Sequence, residues 1–351
     1  MVSGPTAVDP AEGPPPGSYD ETICQVWRPL AADGGLLEVA RAGTLAANSH
    51  NTQPWRFSIS DTQIAIRPDL SRRCPAVDPD DHHLYASLGC AVENMMQAAP
   101  LLGFEETATS NDAEDGSVTL SLGRQTPSGN VLADAIVVRQ CTRADYDGRA
   151  ISPDDLAKLE AAGTLEGVSC LLVTDRDQMD AVADYVVEGN TAQMRDNAFM
   201  EELKTWIRFN DRMALAHRDG LASRAMGAPS LPAWLARLLL PLVMTEKGEA
   251  SKYAKQIRSS AGIAVFVAGS NDKAGWIASG RACQRFALQA TALDIRNAFV
   301  NQPVEVAELR PQIGSYLGLG DRRPDLVVRF GRGPTVPHSL RRPLAAVIEH
   351  Q

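Results

Sequence analysis

The chain has no Cys-x-x-Cys pair and no histidine at zinc-finger spacing from any of its six cysteines, Cys24, Cys74, Cys90, Cys141, Cys170 and Cys283. The pattern therefore indicates no metal centre. Cys90, Cys170 and Cys283 fall in apolar helical or strand patterns, where a free thiol behaves as a small buried hydrophobe, so a reduced, cytoplasmic protein is expected. There is no Gly-x-Gly-x-x-Gly, which argues against a Rossmann domain with its own dinucleotide pocket. No Ser/His/Asp or Cys/His constellation points to covalent catalysis, and no catalytic side chain is assigned. The N-terminus lacks a basic segment leading into an apolar run, so no secretion signal is expected. The most apolar stretch, Leu231 to Met244, is interrupted by Arg237 and Pro241 and is too short to span a bilayer. Positive charge is in deficit: 34 Lys and Arg against 43 Asp and Glu give a formal charge of −9 and a pI near 5.2. That background opposes a nucleic-acid or anionic-membrane partner but leaves room for a local arginine cluster on a small phosphate.

What is present fits a globular chain of 351 residues with 44% hydrophobic content, enough for two modest domains or one large one. Residues 1 to 20, rich in Pro and Gly, read as a mobile tail. Glu21 to Leu45 is helical material broken at Pro29 and Gly34-Gly35. Trp55 to Ser60 and Gln63 to Arg67 read as a hairpin around Asp61-Thr62. Leu84, Leu88, Val92, Met95, Met96 and Leu102 form a helical stripe ending at Gly103, with the methionines as packing groups. His82 and His83 sit at that helix's Asp/Pro-rich start and are read as start residues, not ligands. Further on, the pattern predicts a strand at Ser117 to Leu122, a loop at Gln125 to Asn130 and a helix at Val131 to Gln140. A helix start follows at Ser152-Pro153, then a strand at Ser169 to Val173 and helices from Asp175 to Phe209. Strands at Gly262 to Ala268, Ile295 to Val300 and Leu326 to Phe330 alternate with helices at Trp276 to Leu293 and Val304 to Leu317.

The stretch Ala47 to Phe57, Ala-Asn-Ser-His-Asn-Thr-Gln-Pro-Trp-Arg-Phe, links a helix to a strand and is crowded with hydrogen-bonding groups. Such residues serve a capping turn as readily as a ligand. The run resembles the flavin-binding loop of the nitroreductase family: Ser49, Asn51, Gln53, Pro54 and Trp55 match its pattern, whereas Ala47 and Asn48 depart from it. The resemblance runs from about Glu21 to the C-terminus and is strongest to the Acg-like, FMN-binding branch, in which one chain holds two nitroreductase-like halves. It implies an α+β fold, a single-chain pseudo-dimer with a mostly antiparallel central sheet in each half flanked by helices. The halves would be 21–130 and 131–351, the second with a lid-like insertion at 221–253.

An internal repeat agrees with duplication. Leu36 and Ala42-Gly43-Thr44-Leu45 recur as Leu156 and Ala162-Gly163-Thr164-Leu165. Gly89, Ala91, Ala99 and Leu102 align with Gly280, Ala282, Ala290 and Leu293. The copies differ in what they keep. Only the first has the loop containing Asn48, Ser49, Asn51, Gln53 and Trp55. Only the second has Arg139-Gln140-Cys141-Thr142-Arg143, which resembles the family's phosphate arm, with Cys141 where a serine is usual. The alternative for Arg139 and Arg143 is solvated charge beside Asp145 and Asp147. The resemblance implies one surviving flavin site between the halves, with Arg341 or Arg342 as a third phosphate ligand. It also implies that Asn301, Gln302 and Pro303 stand at the flavin's reactive edge, while Arg208 and Asn210 are weaker candidates.

The resulting expectation is an FMN-dependent oxidoreductase taking hydride from NAD(P)H, whose nicotinamide would stack directly on the flavin, and passing it to an unidentified acceptor. The alternative is a protein that stores FMN with little or no turnover, suggested by Leu231 to Met244, which could be core or could lie over the flavin as a lid, as the resemblance implies. A monomer, or a weak homodimer, is expected in either case.

Overall fold

The computed structural model describes residues 17–111 and 114–349. In chain order the first part comprises α1 (Tyr19–Val26), α2 (Gly35–Thr44), β1 (Trp55–Ile59), β2 (Gln63–Pro68), α3 (His82–Leu101), β3 (Phe104–Asn111) and β4 (Val118–Arg124). There follow α4 (Val131–Ala135), α5 (Pro153–Gly163), β5 (Val168–Val173), α6 (Arg176–Arg195), α7 (Asn197–Trp206), β6 (Ile207–Arg208), α8 (Asp211–His217) and β7 (Leu221–Ala222). The remainder is α9 (Ala233–Val243), α10 (Glu246–Arg258), β8 (Gly262–Ala268), α11 (Lys273–Ala292), β9 (Arg296–Phe299), α12 (Gln302–Glu305), α13 (Arg310–Tyr316) and β10 (Leu326–Gly331).

The strands form two antiparallel sheets of four, ordered β1-β2-β4-β3 and β5-β8-β10-β9, and a short parallel pair β6-β7. Substituting β5, β8, β9 and β10 for β1, β2, β3 and β4 turns the first order into the second. Helices follow the same correspondence: α2 precedes the first strand of one half and α5 that of the other, while α3 and α11 each follow the second strand. The fold is α+β, and its element order repeats. β8 and β10, central in their sheet, are buried at every position: β8 is apolar throughout, whereas β10 carries Arg329, whose guanidinium donates to the carbonyls of Gln256, Thr142 and Ala144. Met95 is fully buried in the first half's core.

Several boundaries differ from the sequence-based expectations, each for a local reason. α1 starts at Tyr19 because Ser18 and Glu21 form a capping box, so the expected tail is ordered from at least there; residues 1–16 lie outside those described. β3 was not expected at all. Its sequence Phe-Glu-Glu-Thr-Ala-Thr-Ser-Asn lacks apolar alternation because it is the edge strand of its sheet, where charged residues blunt the open side. The helix expected from Val131 to Gln140 ends at Ala135, before the β-branched run Ile136-Val137-Val138, and the chain then runs on so that Cys141 bridges Asn297. The helical stretch expected from Val304 to Leu317 is two short helices, α12 and α13.

The chain's last described residues return to the first half. Phe57 N donates to Val347 O and Glu349 N to Phe57 O, each at 2.8 Å, and Val347 is buried in the first core. The C-terminal segment therefore crosses from the second half onto β1. Among the described residues no helix is long and apolar enough to cross a membrane.

Candidate functional site

The loop after α2 is bent into conformations that side chains other than glycine seldom adopt: His50, Asn51 and Gln53 have φ of 46°, 54° and 54°. Such strain persists only where surrounding contacts over-determine it, and here they do. Asn48 Oδ1 accepts from Gln53 N at 2.8 Å. Asn51 Nδ2 donates to Gly220 O and Leu340 O, both at 3.1 Å, while its Oδ1 accepts from Arg341 Nη1 at 2.7 Å. Gln53 Nε2 donates to Arg218 O at 2.9 Å and its Oε1 accepts from Arg342 N at 2.8 Å. From the other half, Gln284 holds the loop's entrance, accepting from Ala47 N at 3.3 Å and donating to Asn94 Oδ1 at 2.7 Å.

These bonds divide the residues singled out in the sequence. Asn48 and Ser49 line a cavity of about 420 Å³, together with Arg143, Asn301 and Gln302. A smaller adjoining cavity of about 60 Å³ is lined by Asn48, Asn51, Arg139, Gln140, Cys141, Arg143 and Arg341. Gln53, Trp55, Pro303 and Arg342 line neither cavity. Gln53 is spent on backbone groups, and Trp55 is fully buried in the core. Arg342 donates to Ala346 O and lies 3.8 Å from Asp69 Oδ2. Asn51 lies in the small cavity's wall, but its amide is fully engaged within the protein. Of the two C-terminal arginines left open by the sequence, Arg341 is the one at a cavity. Arg208 is bound to Asp219 at 2.6 Å and Asn210 caps α8.

The small cavity's wall contains three arginines and no carboxylate. Arg139, 3% exposed, gives Nη2 to Leu45 O at 2.9 Å and leaves its buried Nε without a partner among the described residues. Arg341, 5% exposed, donates to Thr44 O, Ala46 O, Leu340 O and Asn51 Oδ1. The two thus meet carbonyls at the C-terminal end of α2, which satisfies hydrogen bonds and only part of the charge. Burial and the neighbouring Arg139 push Arg341 down to about 9, the sign of two buried cations lacking a counter-anion. Arg143 lines both cavities and has no side-chain hydrogen bond or ion pair among the described residues. The solvated-charge alternative fails for it, since Asp145 pairs with Lys255 and Asp147 with Arg149. Gln140 holds the arm in place by accepting from Val336 N at 3.1 Å and donating to Val336 O.

The large cavity draws its wall from both halves: Asn48, Ser49, His50 and His83 from the first, Arg143, Tyr253, Asn301 and Gln302 from the second. Gln302 Oε1 is buried without a partner among the described residues, and Asn301 Oδ1 accepts from Val327 N at 2.8 Å. Residues of 221–253 line one side. α9 gives Ala236, Leu239, Leu240 and Val243 to the wall while Trp234, Leu238 and Leu242 face outward, 71%, 67% and 74% exposed. Ala236, 7% exposed, is the one buried residue of α9. His50, His83, Gln193, Tyr253 and Glu305 were missed in the sequence, because nothing in their local pattern says that separate elements bring them to one cavity.

No family model matches the chain. It is 25% identical over 318 residues to a protein found in two strains of Mycobacterium tuberculosis, CDC 1551 and H37Rv, which bears the name NAD(P)H nitroreductase as a provisional assignment. The match covers 87% of this chain and 88% of that protein. Among solved structures, the FMN-dependent nitroreductase of Mycobacterium smegmatis in complex with NADPH is 14% identical with a TM-score of 0.40, over 63% of this chain and 98% of that one. Nitroreductase A of Vibrio parahaemolyticus is 14% identical with a TM-score of 0.39, over 64% and 78%. With a loop of the nitroreductase pattern in its first half, the chain is thus similar along most of its length to a curated relative bearing the nitroreductase name.

Proposed function

We propose that this protein is an FMN-dependent oxidoreductase of nitroreductase type, taking hydride from NAD(P)H and passing it to a small-molecule acceptor. The observation that carries this reading is the small cavity walled by Arg139, Arg143 and Arg341 with no carboxylate, opening beside a cavity of about 420 Å³. A phosphate monoester supplies the anion that such a cluster lacks, and guanidinium groups meet it with charge-assisted hydrogen bonds. Arg143 and the orphaned Nε of Arg139 would hold the phosphate, while Arg341 contributes charge from behind them. Asn48, Ser49, Asn301 and Gln302 would meet the polar parts of the ring and ribityl chain. FMN supplies the hydride chemistry, and the protein's part is to bind, orient and exclude water. Because the phosphate residues come from the second half and the loop from the first, the chain would hold one flavin and work as a monomer.

A second reading, FMN storage with little turnover, is favoured by one observation: α9 covers the large cavity and would stand where a nicotinamide must approach. FMN and riboflavin, titrated separately into flavin-free protein, test the shared core of both readings. Binding of FMN at least about 100-fold tighter than riboflavin is expected from two or more charge-assisted contacts of about 1.5 to 3 kcal/mol each. Equal affinity for the two ligands would defeat the phosphate assignment.

A further inference from the structure

At the start of α3, Asp78 is placed to do two things. Its Oδ1 accepts from His83 N at 3.0 Å and its Oδ2 from Leu84 N at 2.9 Å, so both oxygens hold the helix's first turn. The same Oδ1 lies 3.6 Å from Nδ1 of the His83 ring, an ion-pair distance. His83 is 5% exposed, its Nε2 on the opposite edge has no partner among the described residues, and the residue forms part of the large cavity's wall. The imidazole therefore lies against a carboxylate on one side and keeps an unspent, buried nitrogen on the other, in a residue that lines the cavity.

The charged and titratable groups around it single it out from its neighbours. His82 on the same helix is driven down to about 4, first by burial and then by His83, and its Nε2 lies 3.3 Å from Asp325 Oδ1. His50 on the signature loop is driven down to about 4 by burial and then by Arg143. For His83, burial also pulls downward, but Asp78 and the Glu305 carboxyl across the cavity outweigh it and the opposing Arg310, leaving it above the ordinary histidine value. Glu305 is itself raised by burial, with Oε2 accepting from Gln193 Nε2 at 2.6 Å. Of the three histidines in this region, His83 is the one disposed to carry a proton.

We propose that His83 is the proton donor to the hydride acceptor in the large cavity, with Asp78 as its positioning residue. This rests on the oxidoreductase reading above. An acceptor that receives a hydride gains two electrons and one proton and is left with one added negative charge. The second proton passes from Nε2–H of His83 to the acceptor's oxygen or nitrogen, and the neutral imidazole recovers a proton from water. For a nitro group the sum of hydride and proton gives the nitroso compound and one water, so atoms and charge balance. The same residues also place three ligand-type atoms, from Asp78, His82 and His83, within 4.8 Å of one another. A cation is the weaker account, because both Asp78 oxygens are already committed to helix amides and His82 faces Asp325.

The test uses the full chain loaded with FMN, wild type and His83→Gln, with His83→Asn as the substitute should the first not fold. Stopped-flow bleaching by NADPH should change far less in the variant than reoxidation does. Reoxidation by nitrofurazone should fall by about 100-fold, the scale of general-acid catalysis, and lose both its decline at high pH and its solvent deuterium effect. Independently of turnover, imidazole resonances of the wild type should show His83 titrating above an exposed histidine, and Asp78→Asn should lower that midpoint. Equal reoxidation rates with flavin present in both proteins, or a His83 midpoint below that of free imidazole, would overturn the proposal. So would one equivalent of tightly bound zinc by elemental analysis. A wild type that takes up no FMN would instead bring down the functional reading, and the role of His83 with it.

Discussion

Gly89 of α3 and Gly280 of α11 face each other's helices in a reciprocal manner: a methyl group on Gly89 would lie 2.0 Å from Ile277 O, and one on Gly280 would lie 1.9 Å from Ala86 O. Each glycine thus meets the carbonyl of the residue three places before the other. The reciprocity is that of a twofold axis, and it places the aligned glycines of the internal repeat at the contact between the halves. Cys90 Sγ donates to Gly280 O at 3.2 Å at the same crossing.

Gly89→Ala or Gly280→Ala should therefore destabilise the fold by about 3 kcal/mol or more, since the intruding methyl meets backbone that cannot rotate away. Gly129→Ala, where the nearest atom is Leu101 Cδ1 at 3.5 Å, serves as the control and should stay within about 0.5 kcal/mol of wild type. Urea denaturation of the three variants measures the difference. A tolerant Gly280→Ala would show that the helices do not cross so closely.

Arg143 and Arg341 should separate binding from folding. Arg143→Ala removes a side chain with no partner among the described residues, so thermal stability should hold while FMN affinity falls by about 10- to 150-fold. Arg341→Ala removes bonds to Thr44, Ala46, Leu340 and Asn51, and should lower stability as well as binding. Differential scanning calorimetry beside flavin titration reads both. A stable Arg341→Ala, or an Arg143→Ala that binds as wild type, would contradict the assignment.

How much of this could be read from the sequence depended on whether the information was local. The sequence drew attention to the loop because amides and hydroxyls are packed into Asn48 to Gln53, and to Arg139 and Arg143 because of their pattern; the structure places Asn48, Ser49, Arg139 and Arg143 at the two cavities. Which side of the loop each group faces was not legible. The positive φ at Asn51 and Gln53 turns them toward Leu340, Arg342 and Arg218, residues remote in sequence. The edge strand β3 was invisible because solvent on one side removes the apolar alternation that marks a strand. The cavity's His83 and Glu305 belong to different halves and are brought together only by tertiary folding.

Glu38 gives the acid limb of stability. Although burial opposes its charged form, hydrogen bonds from Arg41, Arg28 and Ala31 N lower it to about 2. A carboxyl with a depressed folded-state value stabilises above its unfolded value of about 4.3 and loses that contribution as pH falls toward 2. Unfolding midpoints measured from pH 6 downward should drop through about 4.5 to 2 in wild type. Glu38→Gln should be less stable at pH 6 and show a shallower drop. Parallel curves for the two proteins would refute the linkage.

Whether α9 acts as a cover decides between catalyst and store. Replacing 231–244 with a short Gly/Ser linker should leave thermal unfolding nearly unchanged, because Ala236 is the one buried residue of the helix. Flavin reduction by NADPH should then become faster, since the nicotinamide must reach near-contact distance before hydride can transfer. Rapid bleaching in the intact protein would dismiss an occluding cover, and unfolding of the shortened protein would show α9 to be core.

The central claim is one flavin site assembled from a phosphate arm on one half and a loop on the other. Its most direct test is the ratio of flavin to protein in the purified chain, from the absorption spectrum of the intact protein and the mass of the ligand released on denaturation. The account predicts a yellow protein that releases FMN and saturates at one FMN per chain. A colourless protein that takes up no added FMN, or saturation at two per chain, would contradict it.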